Sequence, residues 1–229
     1  MTTIALTLQA VRARIERAVA AAGRSAGEVS LLAVSKTFPA SYIEDAFSAG
    51  QRAFGESYAQ EGVKKITSLA HLDLEWHFIG PIQSNKTALI AENFAWVHAV
   101  DRDRIARRLD AARPEPLPPL NVCIQVNVSG EDSKSGVAPG EERDLARTIA
   151  GLPHLRLRGL MAIPEPTLDA ALQRRRFALL RELKDGLAAE GHAVDTLSMG
   201  MSDDLEAAIA EGATIVRVGT AIFGRRETL

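Results

Sequence analysis

Leu31-Leu32-Ala33-Val34-Ser35-Lys36-Thr37-Phe38-Pro39 carries an apolar run up to a lysine and then to a proline. Read with the two-residue alternation of a strand, Leu32, Val34 and Lys36 share one face, so the amine points where two aliphatics point, into a core. The segment 39–50 that follows begins with proline and ends with glycine, the asymmetry of a helix. An apolar strand that feeds directly into a helix is one β/α unit, and the rest of the chain reads as further copies of that unit.

Upstream, residues 6–22 carry Leu8, Val11, Ile15, Ala18, Val19 and Ala22 with arginines between them, an amphipathic helix that Gly23 stops. Downstream, a short run at Ala53 and Phe54 leads into Gly55-Glu56-Ser57, and further strands are expected at 76–79, 95–100, 122–128, 155–162, 196–199 and 214–218. Helices are expected at 58–69, 85–93, 102–112, 141–150, 168–190 and 203–211. Eight strands separated by helical crossovers in 229 residues predict an α/β fold, a single closed (β/α)8 TIM barrel in preference to an open doubly wound sheet. The proline-rich 114–119 is too short for an interdomain linker and reads as a helix-to-strand loop, so one domain is expected over 1–229.

Composition narrows the function. The 27 basic and 29 acidic side chains leave a formal charge of -2, which offers no electrostatic footprint for nucleic acid or anionic lipid. The N-terminus lacks a basic segment followed by a long apolar one, and no run of about 18 apolar residues occurs, so a cytoplasmic protein is expected. Cys123 lies in an expected buried strand and reads as core, with no local basic neighbour to activate it. His77 and His98 lie in expected strands and His71, His154 and His192 are scattered, so no metal site is predicted. The run Arg174 to Arg176 reads as a solvated helix face.

In such a barrel functional groups gather where the strands end, because the following loops open on one rim. Those ends carry Lys36, Glu56 and Ser57, Gly80, Asp101, Asn127 and Ser129, Met161, Ser198 to Ser202, and Arg217 to Thr220. Lys36 has two readings: an amine that reaches water along its own stem, or a desolvated nucleophile whose pKa falls below the free value of about 10.4. The loops after strands seven and eight, Ser198 to Ser202 and Gly219 to Gly224, offer hydroxyls and approachable amides for a phosphate. Ser202 is placed to cap a helix from Asp203, provided that Asp203 and Asp204 point away from the anion. Arg217 either enters the barrel mouth or pairs with a carboxylate.

An amine at one strand end, a phosphate cradle at two others and an arginine beside the cradle suit a phosphorylated aldehyde, and pyridoxal 5'-phosphate (PLP) fits that description. Ala-Val-Ser-Lys (33–36), Phe-Gly-Glu (54–56) with Tyr58 and Gln60-Glu61-Gly62, and Trp-His-Phe-Ile-Gly-Pro-Ile-Gln-Ser-Asn-Lys (76–86) are followed by Val-Asn-Val (126–128) with Lys134-Ser135-Gly136. Arg-Gly-Leu-Met (158–161), Leu-Ser-Met-Gly-Met-Ser-Asp-Asp (197–204) and Val-Arg-Val-Gly-Thr-Ala-Ile-Phe-Gly (216–224) complete the series. With these motifs in this order, the chain resembles the pyridoxal phosphate homeostasis proteins, single-domain relatives of the alanine racemase N-terminal barrel.

The resemblance implies that Lys36 holds PLP as a Schiff base, that Arg217 faces the pyridine nitrogen, and that Ser198, Ser202, Gly219 and Thr220 hold the phosphate, with Ser57 nearby. Ser57 replaces the family's usual asparagine, and Phe38 stands where a second lysine is often found. An arginine cannot accept the ring nitrogen's proton and, being cationic, disfavours ring protonation, which weakens the ring as an electron sink. The tyrosines, Tyr42 and Tyr58, both lie early in the chain, so the second base of a racemase has no obvious source. Intracellular PLP storage, buffering or delivery without substantial catalysis is the leading reading, with PLP-dependent apo-enzymes as transient partners and a monomer as the expected state. A racemase-like PLP enzyme and a cofactor-free aldolase using Lys36 are the alternatives. Lys134 is a candidate second PLP contact or hand-over amine, with a solvated loop lysine as the other reading.

Overall fold

Eight parallel strands follow one another in sequence order around a ring that closes where β8 (Ile215–Val218) pairs with β1 (Ser30–Val34). The computed structural model describes residues 3–131 and 135–225. Between α1 (Thr3–Ala21) and β8 run α2 (Ala40–Ser48), β2 (Ala53–Glu56), α3 (Ala59–Ser68), β3 (Glu75–Phe78) and α4 (Thr87–Asn93). Then come β4 (Trp96–Val100), α5 (Asp103–Ala112), β5 (Leu120–Gln125), α6 (Glu142–Ala150), β6 (Leu155–Met161), α7 (Ala170–Ala189), β7 (Thr196–Ser198) and α8 (Leu205–Ala210). A last turn, α9 (Thr220–Phe223), follows β8. The closed (β/α)8 barrel expected from the alternation is the fold.

The main apolar layer lies between strands and helices. On α1 the buried residues are Ile4, Leu8, Val11, Ile15, Ala18 and Val19, one stripe at helical spacing. Phe54, Phe78, Phe94 and Phe177 are fully buried in the same layer, each stabilising by about 1.5–3 kcal/mol relative to exposure. Arg113 anchors the proline-rich loop by donating to the Pro118 carbonyl at 2.9 Å and to the Phe94 carbonyl at 2.8 Å.

Inside the barrel the filling is divided. Leu32, Val34, Ile79 and Ile215 make a small apolar cluster of their own. His77, His98, Ser198 and Arg217, all buried, are joined to one another by hydrogen bonds. Barrel interiors are ordinarily layers of branched aliphatics, so a polar half marks this one.

Three expected boundaries shift near the rim. β1 stops at Val34, and β5 stops at Gln125, after which Val126 only bridges to Val137. α8 begins at Leu205, because the preceding residues form a turn whose Met201 N–H bonds to the Asp204 carboxylate at 2.6 Å. Among the described residues no helix is long and apolar enough to cross a membrane.

Candidate functional site

The rim at β1 and β2 is built on a buried charged cluster. Ser35 extends the sheet by one bond, its N–H to the Gly55 carbonyl at 3.0 Å, and Thr37 then turns the chain with φ of 70°. The alternation expected to carry Lys36 onto the face of Leu32 and Val34 therefore breaks after the strand. Lys36 sits partly buried in the turn and lines a cavity of about 370 Å³ with Ser57, Tyr58, Gln60, Gly80 and Lys86. Gly80 is required there, since a Cβ would lie 2.2 Å from the Ser57 carbonyl oxygen.

Beneath this turn Lys65 Nζ donates to Glu56 Oε1 at 2.8 Å, to Glu61 Oε1 at 2.6 Å and to the Ser35 carbonyl at 2.8 Å. Ser35 Oγ donates to Glu56 at 2.7 Å, and the Thr37 N–H donates to Glu61 at 2.6 Å. The cluster thus grips the backbone on both sides of Lys36. A β-branched residue in the left-handed region carries roughly 1–3 kcal/mol of strain, so Thr37 needs that grip. Glu56 is fully buried with Oε2 unpartnered among the described residues, and burial pushes its carboxyl above the ordinary 4.5 despite Lys65.

Across the β1/β8 seam, where Leu32 stands opposite Arg217, the guanidinium lies inside the barrel with 3% exposure. It donates to the Ser198 carbonyl at 2.5 Å, to Ser198 Oγ at 2.8 Å and to the Ala162 carbonyl at 2.8 Å. Of the two readings left open by the sequence, the mouth position holds, and those recorded bonds go to neutral oxygens. Burial pulls the Arg217 pKa down to about 10, with Asp204 opposing, so the side chain stays cationic at neutral pH. Three of its N–H groups are used in these bonds.

Two expectations for the phosphate loops change. Ser198 Oγ is committed inward, to Arg217 and to His98 Nδ1 at 2.7 Å, because β7 turns it to the barrel interior. Ser202 caps no helix, since α8 starts later; its carbonyl accepts from Arg14 of α1 at 2.6 Å. Asp203 is exposed, whereas Asp204 turns into the loop and takes the Met201 amide. Gly219 brings the end of β8 against β1, where a Cβ would stand 3.1 Å from the Val34 carbonyl oxygen, and Thr220 opens α9 beside it, exposed. The fold therefore gathers Lys36, Ser57, Arg217, Ser202, Gly219 and Thr220 at one end of the barrel, with Ser198 behind Arg217.

Phe38 also finds a place. Its ring packs against Tyr42 at 5.8 Å and against Phe223 of α9 at 5.3 Å, tying the Lys36 turn to the loop after β8. Helix α1 braces the same loops from outside, through Arg14 and through Thr7 Oγ1 on the Ile222 carbonyl at 2.7 Å. Sequence reasoning missed Glu61, Lys65 and Arg14; the i,i+4 spacing of Glu61 and Lys65 was the available signal. It also gave no place to Tyr58, which lines the Lys36 cavity. Lys134 lies outside the described residues.

Comparison with known proteins identifies the family. Residues 6–227 match the family pattern "Alanine racemase, N-terminal domain". The chain is 61% identical over 227 residues to the pyridoxal phosphate homeostasis protein of Pseudomonas aeruginosa, covering 99% of this chain and 97% of that one. It is 55% identical over 233 residues to the protein of the same name from Escherichia coli K12, covering 99% and 98%. The structure of PipY of Synechococcus elongatus with PLP bound superimposes with a TM-score of 0.83 at 37% identity, covering 96% of this chain and 100% of that one. Alanine racemase from Corynebacterium glutamicum, at TM-score 0.72 and 17% identity over 96% of this chain and 60% of that one, shares the fold. By these matches over nearly its whole length, the chain belongs to the pyridoxal phosphate homeostasis protein family, within the alanine racemase N-terminal domain family.

Proposed function

We propose that this chain binds PLP at the rim and stores, buffers or delivers it, without substantial catalysis. The observation that carries the reading is the β1/β8 seam, which sets the Lys36 turn beside a buried cationic arginine and a loop opened by glycine. The donor set fits the group: an amine for the aldehyde, N–H donors for a ring nitrogen, and hydroxyls at Ser202 and Thr220 with backbone amides for the phosphate. Lys36 would hold the group through its amine, a nucleophile suited to an aldehyde. When bound, PLP supplies that aldehyde and a pyridine ring able to withdraw electrons. Arg217, a donor with no acceptor, would leave the ring nitrogen unprotonated and so weaken that withdrawal. Ser57 lies beside Lys36 on the cavity wall.

PLP-bound PipY, and relatives named for PLP homeostasis, support the reading. A working monomer that meets PLP-dependent apo-enzymes transiently in the cytoplasm completes the proposal. Borohydride reduction of the PLP-loaded protein followed by peptide mass analysis tests it: the adduct is expected on Lys36 and is lost in Lys36→Ala. An adduct that persists elsewhere moves the site. Tyr58 in the Lys36 cavity favours checking the racemase-like alternative directly. Incubation with single amino-acid enantiomers in heavy water is expected to give α-proton exchange no faster than free PLP; faster exchange that Tyr58→Phe abolishes would establish the enzyme instead.

A further inference from the structure

The polar half of the barrel interior is a continuous hydrogen-bonded chain that the rim chemistry does not use. Glu75 Oε1 lies 2.8 Å from His77 Nε2, His77 Nδ1 lies 2.9 Å from His98 Nε2, and His98 Nδ1 lies 2.7 Å from Ser198 Oγ. Ser198 Oγ then receives Arg217 at 2.8 Å. The chain starts at the N-terminal mouth of the barrel, in a cavity of about 380 Å³ that includes Glu75, Trp96, Arg158 and Asp195, and ends beneath the rim.

Its two ends fix its direction. The Glu75 carboxylate only accepts, and its hydrogen bond with His77 lowers its pKa, so it is ionised at neutral pH. Burial lowers the pKa of both histidines, which keeps them neutral. A neutral His77 that donates from Nε2 must accept at Nδ1, so His98 donates from Nε2 and accepts at Nδ1 from the Ser198 hydroxyl. At the far end Arg217 donates to that hydroxyl, so every member donates towards Glu75. Trp96 stacked on His77 at 5.3 Å and 7° holds the ring plane.

We propose that His77 and His98 are positioning residues that, with Glu75, fix the Ser198 hydroxyl and thereby aim Arg217 at the pyridine nitrogen of PLP. The inference rests on the PLP reading above for its target, although the donor order belongs to the protein alone. Nitrogen-15 NMR of the imidazoles in ligand-free wild-type protein at neutral pH is expected to show both rings neutral with hydrogen on Nε2. A cationic ring, or hydrogen on Nδ1 of either, overturns the donor order.

With PLP labelled at its ring nitrogen, His98→Leu is expected to displace the ring-nitrogen resonance, and His98→Gln, which can still accept and donate, to keep it near the wild-type position. Borohydride trapping on Lys36 is expected in both. An unmoved resonance in His98→Leu overturns the positioning role, whereas failure to trap PLP on Lys36 in wild type overturns the PLP reading and leaves the imidazole result standing. Glu75→Leu, at the exposed end where folding is not at stake, removes the terminal acceptor and is expected to produce mixed tautomers at His77, whereas Glu75→Gln, whose amide oxygen still accepts, is expected to keep the wild-type tautomer; an unchanged imidazole spectrum in Glu75→Leu overturns the part of Glu75 in fixing the donor order.

Discussion

Lys36 follows β1 and Arg217 lies on β8, next to each other in the barrel, yet the two are supported by opposite means. Around Lys36 the support is charged: Lys65 between the carboxylates of Glu56 and Glu61, near the rim, gripping the backbone of Ser35 and Thr37. Around Arg217 the hydrogen-bonded support is neutral, two carbonyls and a hydroxyl backed by two uncharged imidazoles, and Asp204 acts on it only through its charge. A charged cluster defines a turn strongly, but it depends on every partner, because one carboxylate left alone in a dry site is costly. A neutral chain loses less when broken, and its value lies in direction. One side of the site is therefore built for strength and the other for aim.

Lys65→Met breaks the charged side. It leaves Glu56 buried beside no cation and is expected to destabilise the fold by about 3–5 kcal/mol in urea unfolding. His98→Leu breaks the neutral side and is expected to destabilise by about 1–3 kcal/mol, the effect of leaving neutral buried partners unsatisfied. Equal losses in the two variants would remove the distinction.

The pH dependence separates the two sides by sign. Glu56 has a folded pKa above the unfolded 4.5, so the folded state holds more protons there, and the group's contribution to stability falls as pH rises from 4.5 through the folded value. His77 and His98 have folded pKa values below the unfolded 6.5, so their contribution is present above 6.5 and is lost as pH falls below it. Each histidine is expected to remove about 1.4 kcal/mol per pH unit in that window, until its folded pKa is reached. Stability curves of wild type against Glu56→Gln are expected to diverge in the variant's favour as pH rises above 4.5. Curves of wild type against the double variant His77→Gln, His98→Gln are expected to diverge in the variant's favour as pH falls below 6.5.

The two sides also differ in how far the sequence shows them. Alternation and punctuation such as the proline-to-glycine segment 39–50 were enough for the barrel, because both are local signals. Lys36, Arg217 and Gly219 were legible because strand ends map to one rim in this architecture. The chain from Glu75 to Ser198 was not, because it joins β3, β4 and β7, and only closure of the ring brings them together. The inward bonds of Ser198 were hidden for the same reason: its place in a loop motif suggested a phosphate, and only the closed ring shows its strand turning it onto Arg217 and His98. Ser202 failed on a local detail, the start of α8, which moved once Asp204 bonded to the turn. At Thr37 no residue type announced a left-handed turn, since glycine or asparagine would ordinarily occupy one.

Thr37 yields the finest test of the charged side. Its φ of 70° strains a β-branched side chain, and the bond that compensates is made by its backbone N–H to Glu61, with the side chain itself exposed. Thr37→Gly therefore keeps the Glu61 bond and removes the strain of roughly 1–3 kcal/mol, while adding a backbone entropy cost of about 0.5–1 kcal/mol in the unfolded chain. The balance predicts a gain of about 1 kcal/mol in urea unfolding. Thr37→Gly together with Glu61→Ala is expected to lose that gain, because a glycine without the clamp has no reason to hold the turn. If the single variant is instead less stable than wild type, the turn is not strained, and the cluster's hold on the backbone beside Lys36 is not what keeps Thr37 in place.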